Sequence, residues 1–201
     1  MKKWIYYIIG LNMIALAVVL NIRWNLGVAA FSSVMYSASQ IYGISLGNAS
    51  IVMYLIFVLL QCILSKKVTV SYLLEIPLSF AFGWLTDFYD WIVPNVQFPL
   101  AANIVLFIVT MFITAMGVFL TVQTNLVLTP VDGIVKTISE VFHIRFSLVK
   151  NTYDIAMVAV TVLLCLCNHA PFYGIGIGTI LTAVGIGRII SIYEAKIKLS
   201  F

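Results

Sequence analysis

Hydrophobic residues in this chain form long, almost unbroken runs. About 20 apolar residues span the hydrocarbon core of a bilayer, and six runs approach or reach that length: 4–22, 48–64, 70–88, 98–122, 148–167 and 172–193. Two further segments, 27–42 and 127–142, are shorter and rich in Ser, Gly or charged residues. The pattern predicts an all-α fold, a polytopic bundle of transmembrane helices.

The second half of the chain repeats the order of elements in the first half at an offset of 100 residues. Each half has a long apolar helix, a turn, a short polar segment, a second long apolar helix and a closing apolar helix that contains Gly. Some residues also recur, as in Asn25-Leu26 and Asn125-Leu126. We therefore expect a single transmembrane domain, 1–201, built from two repeats, 1–97 and 98–201.

The topology depends on whether the two short segments cross the membrane. A 15-residue helix is only ~22 Å long, whereas the hydrocarbon core is ~30 Å thick. Eight full spans would place Lys66 and Lys67 outside the cell. Six spans with two re-entrant helices place Asp87 and Asp90 outside and the following residues inside: Lys2, Lys3, Lys66, Lys67, Arg145, Lys196 and Lys198.

The positive-inside rule favours the six-span arrangement, with both termini in the cytoplasm. Three crossings in each repeat would make the two repeats inverted with respect to each other, as in many transporters. Eight spans remain the alternative.

Composition supports a membrane location and excludes several classes of protein. The chain is 63% hydrophobic and 9% charged, whereas soluble domains average about 45–50% apolar and about 25% charged residues. Soluble enzymes and nucleic-acid binders are therefore excluded, and the lipid bilayer is the expected surrounding. No Gly-x-Ser-x-Gly or His-Glu-x-x-His motif occurs, so we expect neither enzymatic activity nor a cofactor.

The three cysteines, Cys62, Cys165 and Cys167, all lie within apolar runs. Cys165 and Cys167 are two residues apart, so on a helix their side chains point in different directions and cannot share one ion. We therefore predict no metal site.

Charged residues within the apolar segments are the candidates for function. Each costs at least ~2.5–3.5 kcal/mol at the centre of a membrane helix, so such residues are paired or line a wet path. A spacing of four places such residues on one helical face. We interpret the charged residues, with the Pro and Gly beside them, as substrate-binding residues of a solute pathway; the alternatives are a network that only fixes the repeats together and a stripe of charges at the cytoplasmic boundary. The residues are Pro130, Asp132, Gly133, Lys136, Glu140, Lys150 and Asp154.

Glycines near the C-terminal end predict a helix-packing surface. Gly174 and Gly178 are four residues apart in an apolar segment, and small residues at this spacing let membrane helices approach closely.

Several motifs resemble those of the YczE/YyaS/YitT family of bacterial integral membrane proteins. In the first half they are Leu26-Gly27, Gly43-Ile-Ser-Leu-Gly47 and Ile76-Pro-Leu-Ser-Phe-Ala-Phe-Gly-Trp-Leu-Thr-Asp87. In the second half they are Pro130-Val-Asp-Gly133, Lys150 with Asp154, and Gly174-Ile-Gly-Ile-Gly-Thr179. Ala30 and Phe31 stand where many relatives carry Pro-Trp. The resemblance implies a bacterial plasma-membrane protein but supplies no substrate.

The repeat, the short segments and the buried charges together predict a small-solute permease with its site between two inverted repeats. Two alternatives stay open: a substrate-capture subunit of an energy-coupling transporter complex, and a non-catalytic membrane factor that docks a partner protein. The expected partners are lipid, an unknown small solute, and either a second copy of the chain or a partner membrane protein. We expect no nucleic-acid partner.

Overall fold

A computed structural model of the protein describes residues 2–96 and 98–197, and this part of the chain is helical without any strand. A short 3-10 turn, Ala30–Ser32, precedes α2. The α-helices are α1 (Lys2–Arg23), α2 (Ser33–Tyr42), α3 (Leu46–Ser65), α4 (Val70–Ile92), α5 (Leu100–Thr124), α6 (Pro130–Phe142), α7 (Phe146–Cys167) and α8 (Ile177–Lys196). The predicted all-α fold is confirmed.

Five of the long helices, α1, α3, α5, α7 and α8, are apolar and long enough to cross a membrane. The sixth, α4, has 23 residues, but Glu75, Asp87 and Asp90 make it more polar than the others. The structure is therefore a helical membrane bundle, as the apolar runs predicted.

The last helix begins later than the sequence pattern indicated. We predicted an apolar span over 172–193, but α8 begins at Ile177, because residues before it form turns in which Gly174 has a φ of +70°. Gly174 therefore lies in a loop against Tyr36 of α2. The prediction that Gly174 and Gly178 share one helical face is wrong, and only Gly178 packs from within α8, against Phe107 of α5.

Contacts along α1 give the directions of its neighbours. Gly10 lies against Gly117 of α5, whereas Trp24, at the other end of α1, donates a hydrogen bond to Thr110 Oγ1 at 2.8 Å. Residue numbers on α5 fall as those on α1 rise, so the two helices are antiparallel. The C-terminal ends of α1 and α4 meet through Arg23 and Asp90 (2.8 Å), so α1 and α4 are parallel.

The directions of the other helices follow from contacts of the same kind. At the start of α3 the backbone N–H of Gly47 donates to Asp87 near the end of α4 at 2.7 Å, so α3 and α4 are antiparallel. On α8, Gly178 lies beside Phe107, and Tyr193 packs on Phe119, so α5 and α8 are parallel. On α7, Asn151 near the start accepts from Gly187 N–H of α8 at 3.2 Å, whereas the earlier Thr182 of α8 is joined through Ala30 and Ser33 to Thr161 farther along α7, so α7 and α8 are antiparallel. The directions of α1, α3, α4, α5, α7 and α8 therefore alternate along the chain.

This alternation shows that α2 and α6 are re-entrant. If α2 crossed the bundle, α1 and α5 would be parallel, and if α6 crossed it, α5 and α8 would be antiparallel. Instead α2 enters and leaves at one end of the bundle and α6 enters and leaves at the opposite end. The six-span arrangement fits the structure, and the eight-span alternative is incompatible with these directions.

The two ends of the bundle differ in charge. One end, which we call the lysine end, carries Lys2, Lys3, Lys66, Lys67, Arg145 and Lys196. Lys198, which was predicted on the same side, lies outside the described residues. The opposite end, here the aspartate end, carries Asp87 and Asp90. The N-terminal residues of α1 and the C-terminal residues of α8 both lie at the lysine end.

Helix boundaries in the two halves fall close to 100 residues apart. The 3-10 turn begins at Ala30 and α6 at Pro130, and α3 begins at Leu46 and α7 at Phe146. Asn25 and Asn125 both have a positive φ, 53° and 50°. The same residue types and backbone conformations thus recur at the point where each re-entrant segment begins.

Candidate functional site

The helical parts of the two re-entrant segments begin next to each other at the centre of the bundle. A cavity of about 10 Å³ lies there between seven elements, and its lining is Ile14, Phe31, Tyr54, Phe82, Val118, Thr129, Val131, Asp132 and Lys150. A volume of this size holds about one water molecule. Phe31 comes from the first re-entrant segment and Val131 from the second, so the N-terminal ends of the two re-entrant helices meet at this cavity.

The start of α6 is fixed by its capping residues. Thr129 is the N-cap: its hydroxyl donates to Asp132 Oδ2 at 2.9 Å and accepts from the Asp132 N–H at 3.4 Å. Pro130 is the first helical residue, where the missing N–H of proline costs nothing. An acidic side chain in the first turn is favourable for the helix dipole, so the sequence of this turn holds the Asp132 carboxylate at the central cavity.

Three charged side chains form a buried cluster around that cavity, here the central triad: Asp132, Lys150 and Asp154. Lys150 Nζ lies 3.8 Å from Asp132 Oδ1 and 3.3 Å from Asp154 Oδ1. The side chains are only 1%, 3% and 0% exposed for Lys150, Asp132 and Asp154. The predicted pair at 150 and 154 is therefore formed, and Asp132 joins it from another helix.

Several polar atoms of the central triad have no hydrogen-bond partner in the described part of the chain, although Thr129 binds Asp132 Oδ2. Neither oxygen of Asp154 has a hydrogen-bond partner among the described residues, and the same holds for Asp132 Oδ1, Lys150 Nζ and the Tyr153 hydroxyl. Lys150 Nζ instead lies 4.7 Å from the centre of the Phe31 ring, a cation–π distance. Buried polar groups normally have partners, so the triad has free capacity to bind a polar ligand or water.

Two of the predicted site residues lie away from the triad. Lys136 pairs with Glu140 at 3.9 Å and with Asn125 Oδ1 at 2.9 Å. The Glu140 side chain is 65% exposed. Asp132, Lys136 and Glu140 do lie on one face of α6, as their spacing of four predicted. Because α6 runs from the centre toward the lysine end, only its first turn, with Asp132, lies at the centre.

The sequence patterns did not predict a second buried polar cluster, which surrounds Glu75. Gln61 Nε2 donates to Glu75 Oε2 at 2.6 Å, and Thr137 Oγ1 donates to Gln61 Oε1 at 3.3 Å. The Tyr72 hydroxyl lies 3.2 Å from Thr137 Oγ1. Gly133 of α6 faces the Glu75 carboxyl and the Gln61 amide. We refer to Gln61, Tyr72, Glu75 and Thr137 as the glutamate cluster. The available signal was Glu75 itself, an acidic residue near the start of the apolar run 70–88.

Larger cavities open at the aspartate end. One of about 470 Å³ lies between the start of the first re-entrant segment and the loop before α8, and one of about 390 Å³ lies beside it; both are lined by Ile22, Asn25 and Tyr36. Backbone hydrogen bonds close the floor: Val28 N–H donates to Gly174 O at 2.7 Å and Gly178 N–H to Leu26 O at 2.8 Å. These contacts separate the opening from the central triad.

Five long apolar helices, together with α4, around buried charges define an integral membrane protein. The chain belongs to the family described as "Family of unknown function (DUF6198)", whose profile matches residues 1–195. It is 25% identical to the "Uncharacterized protein YyaS" of Bacillus subtilis (strain 168) over 201 residues, covering 99% of this chain and 96% of the relative. It is 26% identical to the "Uncharacterized membrane protein YczE" of the same organism over 190 residues, covering 94% of this chain and 83% of the relative.

The resemblance drawn from the sequence motifs is thus confirmed for YyaS and YczE. No solved structure matches the chain.

Proposed function

We propose that the protein is a permease for a small polar solute, with its binding site at the central triad between two inverted repeats. One observation carries the proposal: Asp132, Lys150 and Asp154 are buried at the meeting point of two re-entrant helices and keep unpartnered polar atoms there. Irregular backbone at membrane depth is tolerated where it lines a cavity or is buried in protein. Transporters commonly use such a pair of half-helices at a midplane site.

Contacts between the halves support the inverted repeat. Ser33 at the start of α2 contacts Thr161 of α7 at 2.7 Å, and at the same two positions of the other half Gly133 of α6 faces Gln61 of α3. The antiparallel pairing of α1 and α5 is the relation that inversion requires. Alternating access would then be a rocking of one repeat against the other about the Gly10–Gly117 contact.

The charges of the site come from one repeat alone. Ser32, Ser50 and Tyr54 stand 100 positions before Asp132, Lys150 and Asp154, so the first repeat supplies hydroxyl groups where the second supplies ions. Two carboxylates against one ammonium favour a solute that carries a positive charge or several hydrogen-bond donors. We therefore propose a small amine or zwitterion as the solute class.

Uptake into proteoliposomes tests this function. The probes are radiolabelled small amines, zwitterionic amino acids, carboxylates and polyols, each tested with the wild type, Asp132→Asn and Glu140→Gln. We expect uptake of an amine or zwitterion by the wild type and by Glu140→Gln, because Glu140 is exposed at the lysine end. Uptake by Asp132→Asn should fall at least about tenfold, the effect of losing ~1.4 kcal/mol of binding.

Uptake of no probe by the wild type, or equal uptake by Asp132→Asn, would contradict the permease function. Solute binding without uptake, together with copurification of an ATPase, would instead favour a capture subunit. In a bacterium, we propose that the lysine end faces the cytoplasm and that the membrane is the plasma membrane, in accordance with the positive-inside rule. No catalytic step is part of this proposal.

A further inference from the structure

Glu75 is a buried acid outside the central triad. The residue is 2% exposed, on the fourth spanning helix. In the described part of the chain no salt bridge involves Glu75. A carboxylate in such a place is costly without a cation, and the neutral acid is favoured. Glu75 therefore differs from Asp132 and Asp154, whose charges are partly balanced by Lys150.

The surroundings of Glu75 are built to hold a carboxyl group in one position. Gln61 Nε2 donates to Glu75 Oε2 at 2.6 Å, and the amide of Gln61 is oriented by Thr137, whose hydroxyl donates to Gln61 Oε1. The other oxygen, Oε1, faces Gly133, where a Cβ atom would lie 2.6 Å away. The absence of a side chain at Gly133 thus leaves room for the carboxyl group against the α6 backbone.

The titratable groups that face Glu75 do not provide a positive partner. Tyr7 on α1 and Asp132 on α6 interact electrostatically with the Glu75 carboxyl. Tyr72 on α4 reaches the cluster through Thr137, and α3 contributes only the neutral amide of Gln61. Ionisation of Glu75 therefore adds a negative charge next to Asp132, whereas binding of a proton removes it.

The corresponding contact between the other re-entrant helix and its neighbour carries no acid. Ser33 of α2 and Thr161 of α7 stand 100 positions from Gly133 of α6 and Gln61 of α3, and their hydroxyls bond directly at 2.7 Å. The contact of α2 with α7 is thus closed by neutral groups, whereas the contact of α6 with α3 leaves room for the Glu75 carboxyl group. A contact that only joined helices would need no acid in either place.

We infer that Glu75 is a proton-binding site, held by Gln61 and Gly133 beside the central triad and reached from the lysine end through Tyr72 and Thr137. Its ligand is a proton, and its charge state changes the charge balance at Asp132. A role as the coupling site for a proton-driven permease rests on the proposed function above. The binding of the proton itself does not.

Infrared spectroscopy of the purified protein in detergent tests the inference without any transport. The observed signal is the carbonyl stretch of a protonated carboxylic acid, followed while the pH is raised. We expect a band that disappears with rising pH in the wild type and in the matched control Glu140→Gln. In Glu75→Gln the contribution of this one carboxylic acid should be absent.

Three results would overturn the inference: a full band in Glu75→Gln, no loss of the Glu75 band at any pH at which the protein stays folded, or no such band at acidic pH. Gln61→Leu provides a second test if Glu75→Gln fails to fold, since it removes the hydrogen bond to Glu75 Oε2 and keeps the acid. The frequency of the band should then shift, and an unshifted band would also overturn the inference.

The two proposals fail in different ways. If no solute enters proteoliposomes but the Glu75 band titrates, the proton site stands and the permease function does not. If uptake depends on Asp132 but the Glu75 band is absent, the permease stands and the proton is not its coupling ion.

Discussion

Lys150 places an ammonium group at the centre of the bundle, where it faces two carboxylates at 3.8 and 3.3 Å. It is the one cation in this described cluster, so Asp132 and Asp154 both depend on it for their charge. Removing one partner of a buried ion pair leaves an uncompensated charge, which costs about 3–5 kcal/mol. At the residue scale, the triad is thus the most sensitive electrostatic feature of the protein.

Lys150→Met should therefore lower the free energy of unfolding by about 3–5 kcal/mol, because two buried carboxylates remain without a cation. Lys136→Met is the matched control, since Lys136 is partly exposed and its pair with Glu140 is worth at most about 1 kcal/mol. Chemical unfolding in detergent measures both. Adding Asp132→Asn and Asp154→Asn to Lys150→Met should restore part of the loss, and equal stability of Lys150→Met and Lys136→Met would contradict this account.

The sequence predicted much of the triad but not its neighbours. The spacing of four paired Lys150 with Asp154 correctly, and Asp132 was among the candidate residues. Gln61 and Thr137 carry no charge, so nothing in an apolar run distinguished them from ordinary polar residues. Their role depends on which helices face Glu75. That is set by the packing among α3, α4 and α6, and the local sequence pattern holds no information about this packing.

At the scale of elements, the close contact of α6 with α3 and α4 depends on Gly133. An alanine there would place its Cβ 2.6 Å from Glu75 Oε1 and 2.9 Å from Gln61 Oε1. On α8, an alanine at Gly185 would meet only the flexible end of Met111. Alanine is otherwise better than glycine within a helix by roughly 0.5–1 kcal/mol, so the two positions should respond with opposite signs.

We expect Gly133→Ala to lower the free energy of unfolding by about 1–3 kcal/mol, the usual cost of overpacking. Gly185→Ala should be neutral or slightly stabilising. Unfolding of the two variants side by side in the same detergent checks the difference. Gly133→Ala with wild-type stability would mean that Glu75 can move away freely and that α6 is not held against the glutamate cluster.

Helix boundaries were well predicted where caps were strong and poorly where glycines allowed other conformations. Thr129 and Pro130 fixed the beginning of α6, whereas the apolar residues before α8 resembled a helix and formed a loop instead. Gly174 takes a left-handed conformation there, which hydrophobicity alone does not reveal. The offset of 100 residues added one prediction that no single element supported. It indicated that α2 and α6 occupy equivalent places in the two halves of the chain.

At the scale of the whole molecule, the directions of the helices lead to a labelling experiment. In the six-span arrangement Tyr42 and Val96 lie at the aspartate end and Lys67 at the lysine end. An eight-span arrangement would bring Tyr42 to the side of the termini and Lys67 to the opposite side. Tyr42 is 58% exposed and Val96 42% exposed, so reagents can reach cysteines at these positions.

Single cysteines at 42, 96 and 67 should be introduced into a variant with Cys62→Ser, Cys165→Ala and Cys167→Ser. A membrane-impermeant thiol reagent added to whole cells should label the cysteines at 42 and 96 and spare the one at 67 until the cells are opened. Labelling of 67 and not of 42 in intact cells, with the N-terminus shown to be inside, would contradict the re-entrant path of α2.

The re-entrant path of α6 has a consequence for biogenesis. A helix of 13 residues that carries Asp132 and Lys136 is too short and too polar to leave the translocon sideways as an independent span. It therefore stays at the membrane surface until α7 has been inserted and Lys150 is available to pair with Asp132. Assembly of the charged centre then follows the insertion of α7, and a chain arrested before α7 should leave α6 accessible to protease.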